Sequence, residues 1–128
     1  MYAYSNETHA PYFVHMKRLH PSLRKVQRRS GICHHMLFQK DKVKGMMDLI
    51  SNYHDNKKFF DIFLDCIPNN TQSGASEYEM YFNYIQIYHK NDIIIREDMA
   101  WENIRKYKLL KQKAESGLSY VSYHWYYR

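Results

Sequence analysis

Two carboxylates, Glu77 and Glu79, flank Tyr78 inside the run Gly74-Ala75-Ser76-Glu77-Tyr78-Glu79-Met80-Tyr81-Phe82-Asn83-Tyr84. Ser76 followed three residues later by Glu79 is a capping-box pattern, which predicts that a helix starts here. Both carboxylates then fall in the first turn, where the partial positive charge of the helix end favours anions. The same geometry can hold a carboxylate at the rim of a sugar or phosphate site. It also serves, with no chemistry attached, as a plain helix cap.

Other chemistry-bearing residues are less specific. His34 and His35 lie in Ile32-Cys33-His34-His35-Met36-Leu37-Phe38, an apolar run of strand length. On a strand, neighbouring side chains face opposite ways, so this pair does not readily bind one metal, and no zinc site is read here. Cys33 and Cys66 lack a metal-type spacing and lie in apolar runs, which reads as two reduced core cysteines. The net charge of +6 is concentrated in two blocks. One is Lys17, Arg18, Arg24, Lys25, Arg28 and Arg29; the other is Arg105, Lys106, Lys108, Lys111 and Lys113. Such blocks suit nucleic acid or a nucleotide-sugar phosphate, and equally two solvated surfaces. The chain carries no zinc finger, RNP-type aromatic strand or heptad-plus-basic helix.

The elements that must position these residues can be read in order. Pro11 opens a helix to about Leu19, and His20-Pro21 ends it. A basic loop reaches Ser30-Gly31, followed by the strand Ile32–Phe38. Asp41 is the expected N-cap of a helix to about Asn52, with Val43, Met46, Met47 and Ile50 on one face. A further helix spans about Lys57 to Cys66, and Pro68 to Gly74 is a polar loop. The capped helix follows, with Tyr78, Tyr81, Phe82, Ile85 and Tyr88 at helical spacing. A turn at Asn91-Asp92, a strand at Ile93–Ile95, a basic helix from Trp101 to Lys113 and an aromatic strand from Tyr120 to Tyr127 complete the chain. This order predicts an α/β or α+β fold in one domain, residues 1–128, without a clean βαβ series.

Composition sets outer bounds. Apolar residues make up 45% of the 128, with 13 Tyr, 6 Phe and 2 Trp, which is ample for a packed core and argues against global disorder. Tyrosine packs like an apolar residue but keeps a hydroxyl, which suits a core edge or a sugar-binding cleft. No apolar run approaches bilayer length and no signal-peptide pattern opens the chain, so a cytoplasmic setting is the default expectation.

The Ile-Cys-His-His-Met-Leu-Phe run, the helix near Asp41 and the Ser-Gly-Ala-Ser-Glu-Tyr-Glu-Met-Tyr-Phe-Asn-Tyr run together resemble a family of GT-A-type glycosyltransferases, grouped with the nucleotide-diphospho-sugar transferases. The resemblance spans about Tyr12 to Arg96, and its most specific part is Ser76-Glu77-Tyr78-Glu79. A GT-A domain begins with a nucleotide-binding half that ends in an Asp-x-Asp motif holding a divalent metal on the donor diphosphate. This chain has no Asp-x-Asp. It therefore resembles the C-terminal, acceptor-side half: a partial GT-A-like fold with a few-stranded mixed sheet flanked by helices.

The resemblance implies roles by position. Glu77 would be the base that takes the acceptor hydroxyl proton in an inverting transfer, and Glu79 the cap on Ser76, able to exchange roles with it. His34 or His35 would line the acceptor cleft. Tyr78, Tyr81 and Trp101 could offer faces to a sugar ring, with Tyr81 reading better as core. His124 resembles a late histidine that some GT-A enzymes give to a Mn or Mg ion. The implied partners are a nucleotide-sugar donor, a sugar or glycan acceptor, and a chain supplying the nucleotide-binding half. An unpaired sheet edge or apolar patch is then expected at Met1–Tyr4 and Ile32–Phe38, which self-association could cover. A basic module for nucleic acid or another polyanion, and a non-catalytic remnant, are the competing readings.

Overall fold

In the computed structural model, described at residues 2–33, 35–69, 71–103, 112, 115 and 120–122, four helices accompany a small parallel sheet. Strand β1 is Tyr2–Ser5, and the helices are α1 (Ala10–Leu19), α2 (Lys40–Tyr53), α3 (Phe59–Asp65) and α4 (Glu77–Tyr88). A turn of 3-10 helix at Lys90–Asp92 leads into β2 (Ile95–Asn103), and β3 is Tyr120–Ser122. The mixed α/β character matches the coarse expectation.

Local chemistry explains the helix ends. Pro11 sits in the first turn of α1, where its missing N–H costs nothing, and Lys17 and Arg18 occupy the last turn against the negative helix end. His20 is extended, as a residue before proline must be. Helix α2 starts at Lys40 with Gln39 as its N-cap, so Asp41 sits in the first turn and is not the cap. After α2 the chain turns through Asp55 and Asn56, both left-handed, a conformation these short polar residues tolerate. Asn56 N donates to Ser51 O at 2.8 Å there.

Helix α4 is the centre of the molecule. Every residue from Glu79 to Gln86 is buried, and the helix packs against α1 and α2 while α2 packs against α3. Met16 and Leu19 of α1, Ile50 of α2 and Ile62 of α3 close on Tyr81, Phe82 and Ile85. Cys33 and Cys66 are free and buried, as read, and burial raises both thiol pKa values.

The sheet runs in the order β1-β2-β3, and both described pairings are parallel, where a mixed sheet was expected. Tyr2 opposes Ile95 and Tyr4 opposes Ala100, so β2 carries extra residues between them. Trp101, Glu102 and Asn103 oppose Tyr120, Val121 and Ser122, so the expected helix does not begin at Trp101. The second basic block lies outside the described residues.

One further expectation is corrected. The segment from Ile32 to Phe38 contains no strand among its described residues. The backbone N–H groups around it are taken by side chains instead of a ladder: Ile32 N donates to Ser30 Oγ at 3.1 Å and Gln39 N to Tyr81 Oη at 3.0 Å. The outer side of β1 is paired at its C-terminal end. Ser5 and Ser30 exchange both backbone hydrogen bonds at 2.9 Å, and Tyr2–Ser5 are all buried. Leu37 and Phe38 do stand exposed.

Candidate functional site

The two carboxylates of α4 have opposite fates. With 3.6 residues per turn, positions two apart point about 200° away from each other. Glu79 turns inward and is fully buried, whereas Glu77 faces solvent. Ser76 caps the helix by accepting from Glu79 N at 3.2 Å. The Glu79 carboxylate does not complete the capping box. Its Oε2 accepts from Ser30 Oγ and from Gly31 N at 3.0 Å, and its Oε1 accepts from Asn83 Nδ2 at 3.0 Å. Glu79 is closed to solvent, and its carboxylate holds the chain at Ser30–Gly31 while its backbone N–H makes the cap contact with Ser76.

Glu79 is one rung of a buried polar stripe along α4. Asn83, one turn on, accepts Val26 N at 2.9 Å through Oδ1, and Gln86 Oε1 accepts from Gln27 Nε2. The stripe thus partners the loop that carries Arg24, Lys25, Arg28 and Arg29. Sequence reasoning missed Ser30, Gly31 and Asn83 as partners. The signal was the polar series Glu79, Asn83, Gln86 at helical spacing inside an otherwise apolar helix.

Glu77 has no hydrogen-bond or ion-pair partner among the described residues, and it borders a groove of about 410 Å³. Helix α2 contributes Val43, Met46 and Met47 to the walls, and α3 contributes Phe59, Phe60 and Phe63. Phe38 and Met80 close it. Tyr78 is half-buried, its ring centroid 5.6 Å from that of Phe38, so it stands next to the groove mouth. Tyr81 is core: its hydroxyl accepts from Gln39 N and lies 3.3 Å from that of Tyr2. Burial, followed by the Tyr81 contacts, pushes the Tyr2 phenol well above its ordinary pKa.

The remaining candidates do not gather here. His35 is exposed and is not among the groove's lining residues. Trp101 belongs to β2, in register with Ser5 and Tyr120. His34 and His124 lie outside the described residues. A separate, polar cavity of about 610 Å³ is lined by Asn6, Thr8, Arg28 and Arg29, beside the C-terminal end of β1. Lys25 Nζ donates to Thr8 Oγ1 at 3.3 Å at this end of the molecule, and the Arg29 guanidinium stacks 4.2 Å from the centre of the Tyr4 ring.

The divalent metal that the resemblance implies does not fit the residues described. No cluster of three His, Cys, Asp or Glu among them could hold an ion. Glu79 spends its oxygens on Ser30, Gly31 and Asn83, and Glu77 stands among apolar side chains. No helix among the described residues is long and apolar enough to cross a membrane. No protein-family model, curated protein or solved structure matches the chain.

Proposed function

We propose that the chain is the acceptor-side part of a glycosyltransferase-like protein, with Glu77 as its catalytic base. The acceptor hydroxyl oxygen bonds to the anomeric carbon of a nucleotide-sugar, and the nucleoside diphosphate leaves with the electron pair of the broken bond. Glu77 takes the hydroxyl proton. The observation that carries this reading is the split between the carboxylates: Glu77 has no partner among the described residues and borders a ligand-sized groove, while Glu79 is consumed by the interior. The Ser76-Glu77-Tyr78-Glu79 resemblance adds the reaction class. The chain lacks Asp-x-Asp, so on this reading the nucleotide-binding half lies outside residues 1–128, and no step is routed through a metal.

The test is calorimetric titration of the purified chain with UDP and GDP, with and without Mn²⁺, followed by a transfer assay using the matching nucleotide-sugars. Nucleotide binding that survives Glu77→Gln, with transfer in the presence of the nucleotide-binding half that the same substitution abolishes, would support the reading. A folded chain that neither binds nucleotide nor transfers sugar in the presence of a nucleotide-binding partner would refute it.

A second reading has one observation in its favour. The cavity bearing Arg28 and Arg29 suits an anion at the carboxyl end of a parallel strand, the usual place for ligands in such sheets. Binding to generic RNA or DNA that falls steeply with salt, and no response to nucleoside diphosphates, would favour a polyanion-binding module.

A further inference from the structure

We infer that the alcohol brought to Glu77 is carried on an apolar body, an alkyl chain or an aryl ring, and not on a free sugar. The inference rests on the glycosyl-transfer reading for the word acceptor, and on the groove itself for the ligand class. The groove walls are the side chains of phenylalanine, methionine and valine, and Glu77 is the one charged residue among the described residues that border it. A free sugar entering such a space would give up the water around several hydroxyls and find one acceptor in return, leaving the others unsatisfied. A hydroxyl compound with an apolar body meets the opposite balance: the body fills the groove, apolar surface against apolar surface, and its hydroxyls stay in water at the edge that Glu77 borders.

Three features of the groove point the same way. Its volume, about 410 Å³, falls within the range of small-ligand pockets, roughly 300–1,000 Å³, so it suits a molecule better than a protein face. Phe60 lines it yet is 69% exposed, an aromatic ring left in water beside an apolar space that a ligand would fill. Met46, Met47 and Met80 supply unbranched thioether chains that adapt to a ligand's shape. The chain does own a polar cavity, between Asn6, Thr8, Arg28 and Arg29, so the apolar character of this groove is a local property and not a general lack of polar surface.

Three glucosides with one head group separate the possibilities: octyl, phenyl and methyl β-D-glucoside, each titrated as monomer into protein with methyl-labelled methionine. Octyl or phenyl glucoside should shift the Met46, Met47 and Met80 signals to saturation, and their difference tells an alkyl from an aryl body. Methyl glucoside should bind at least about tenfold more weakly, the factor expected from the lost apolar area. Phe60→Asp, at an exposed position that tolerates a polar side chain, should weaken octyl glucoside binding about tenfold. Leu64→Ser, 65% exposed and not among the groove's lining residues, should not.

Equal binding of all three glucosides, or no shift at the three methionines, overturns the inference. So does a dimer that Phe60→Asp converts to monomer, because the groove is then a self-interface. The transfer assay separates this from the parent reading. Octyl glucoside that binds at the methionines but accepts no sugar even with the nucleotide-binding half supplied sinks glycosyl transfer and leaves an apolar ligand site. Methyl glucoside that accepts sugar as well as octyl glucoside sinks the apolar acceptor and leaves glycosyl transfer.

Discussion

Gly31 N donates to Glu79 Oε2 at 3.0 Å, joining residues 48 apart in sequence. The contact fixes where the loop after the basic block meets the central helix. A Cβ at Gly31 would stand 2.2 Å from Phe82 Cβ and 2.6 Å from Tyr78 O, so only glycine lets the backbone come this close. Ser30 Oγ reaches the same carboxylate oxygen, and Ser30 also bridges to Ser5. One buried carboxylate thereby connects α4 to the end of β1.

Glu79→Gln should therefore be a folding mutation. Both carboxylate oxygens accept from donors, so the glutamine amide must turn an N–H₂ toward another donor whichever way it flips. The expected loss is about 3 kcal/mol, as for a buried charge-assisted network broken at its acceptor. Urea unfolding should show a lower midpoint with an unchanged slope. An unchanged midpoint would mean that the carboxylate is not the acceptor described.

Gly31→Ala and Gly45→Ala should separate cleanly. At Gly31 the new methyl meets backbone and the root of a side chain, and the cost is an overpacking one, about 3 kcal/mol. At Gly45 it meets the Tyr84 hydroxyl at 2.8 Å, the tip of a side chain, within α2. There the roughly 1 kcal/mol gain in helix propensity offsets much of the crowding. Thermal midpoints of the two variants measured side by side check this, and similar losses would contradict it.

The helices were legible because their signals are local. Ser76 as cap, Pro11 in a first turn and the apolar spacing of α4 each act over a few residues. Strand β1 was not, because four residues carry little periodicity and its partner β2 begins at Ile95. The run Ile32–Phe38 has strand composition, yet the N–H groups of Gly31, Ile32 and Gln39 go to Glu79, Ser30 and Tyr81 side chains, which no propensity scale reports. At the site, the first turn of α4 was readable, but which carboxylate faces inward depends on the loop packed against it. The groove had a faint signal: Phe59, Phe60, Phe63 and Leu64 are more apolar residues than a seven-residue helix can bury on one side, and Phe60 and Leu64 stay exposed.

Stability should fall as the pH drops below neutrality, with His15 responsible for part of the slope. Its ring is fully buried, Nε2 donates to Phe63 O at 2.8 Å, and Nδ1 has no partner among the described residues. Burial lowers its pKa below 6.5, opposed by the Phe63 hydrogen bond, with Arg18 lowering it further. The unfolded chain then binds a proton near pH 6.5 that the folded chain refuses. The stabilisation is complete above pH 6.5 and is lost as the pH falls from there toward the lower folded value. Burial and His54 lower His20 in the same sense. His15→Gln keeps a donor for Phe63 O and should flatten the midpoint between about pH 7.5 and about pH 5.5. An equally steep fall in that variant would assign the slope elsewhere.

Glu77→Gln should give the reverse of Glu79→Gln. The side chain is exposed and unpartnered among the described residues, so the thermal midpoint should stay close to that of the parent chain. On the proposed glycosyl-transfer reading, sugar transfer should fall about 10²- to 10⁴-fold, the contribution of a positioned base, with nucleotide affinity unchanged. A glutamine keeps the size and most of the polarity of glutamate, so binding in the groove survives while proton removal does not. Activity that persists in Glu77→Gln would move the base elsewhere, since Glu79 is sealed beneath Ser30 and Gly31. A fall in stability matching that of Glu79→Gln would instead make Glu77 a structural residue of the α4 start, and the groove would lose its catalytic group.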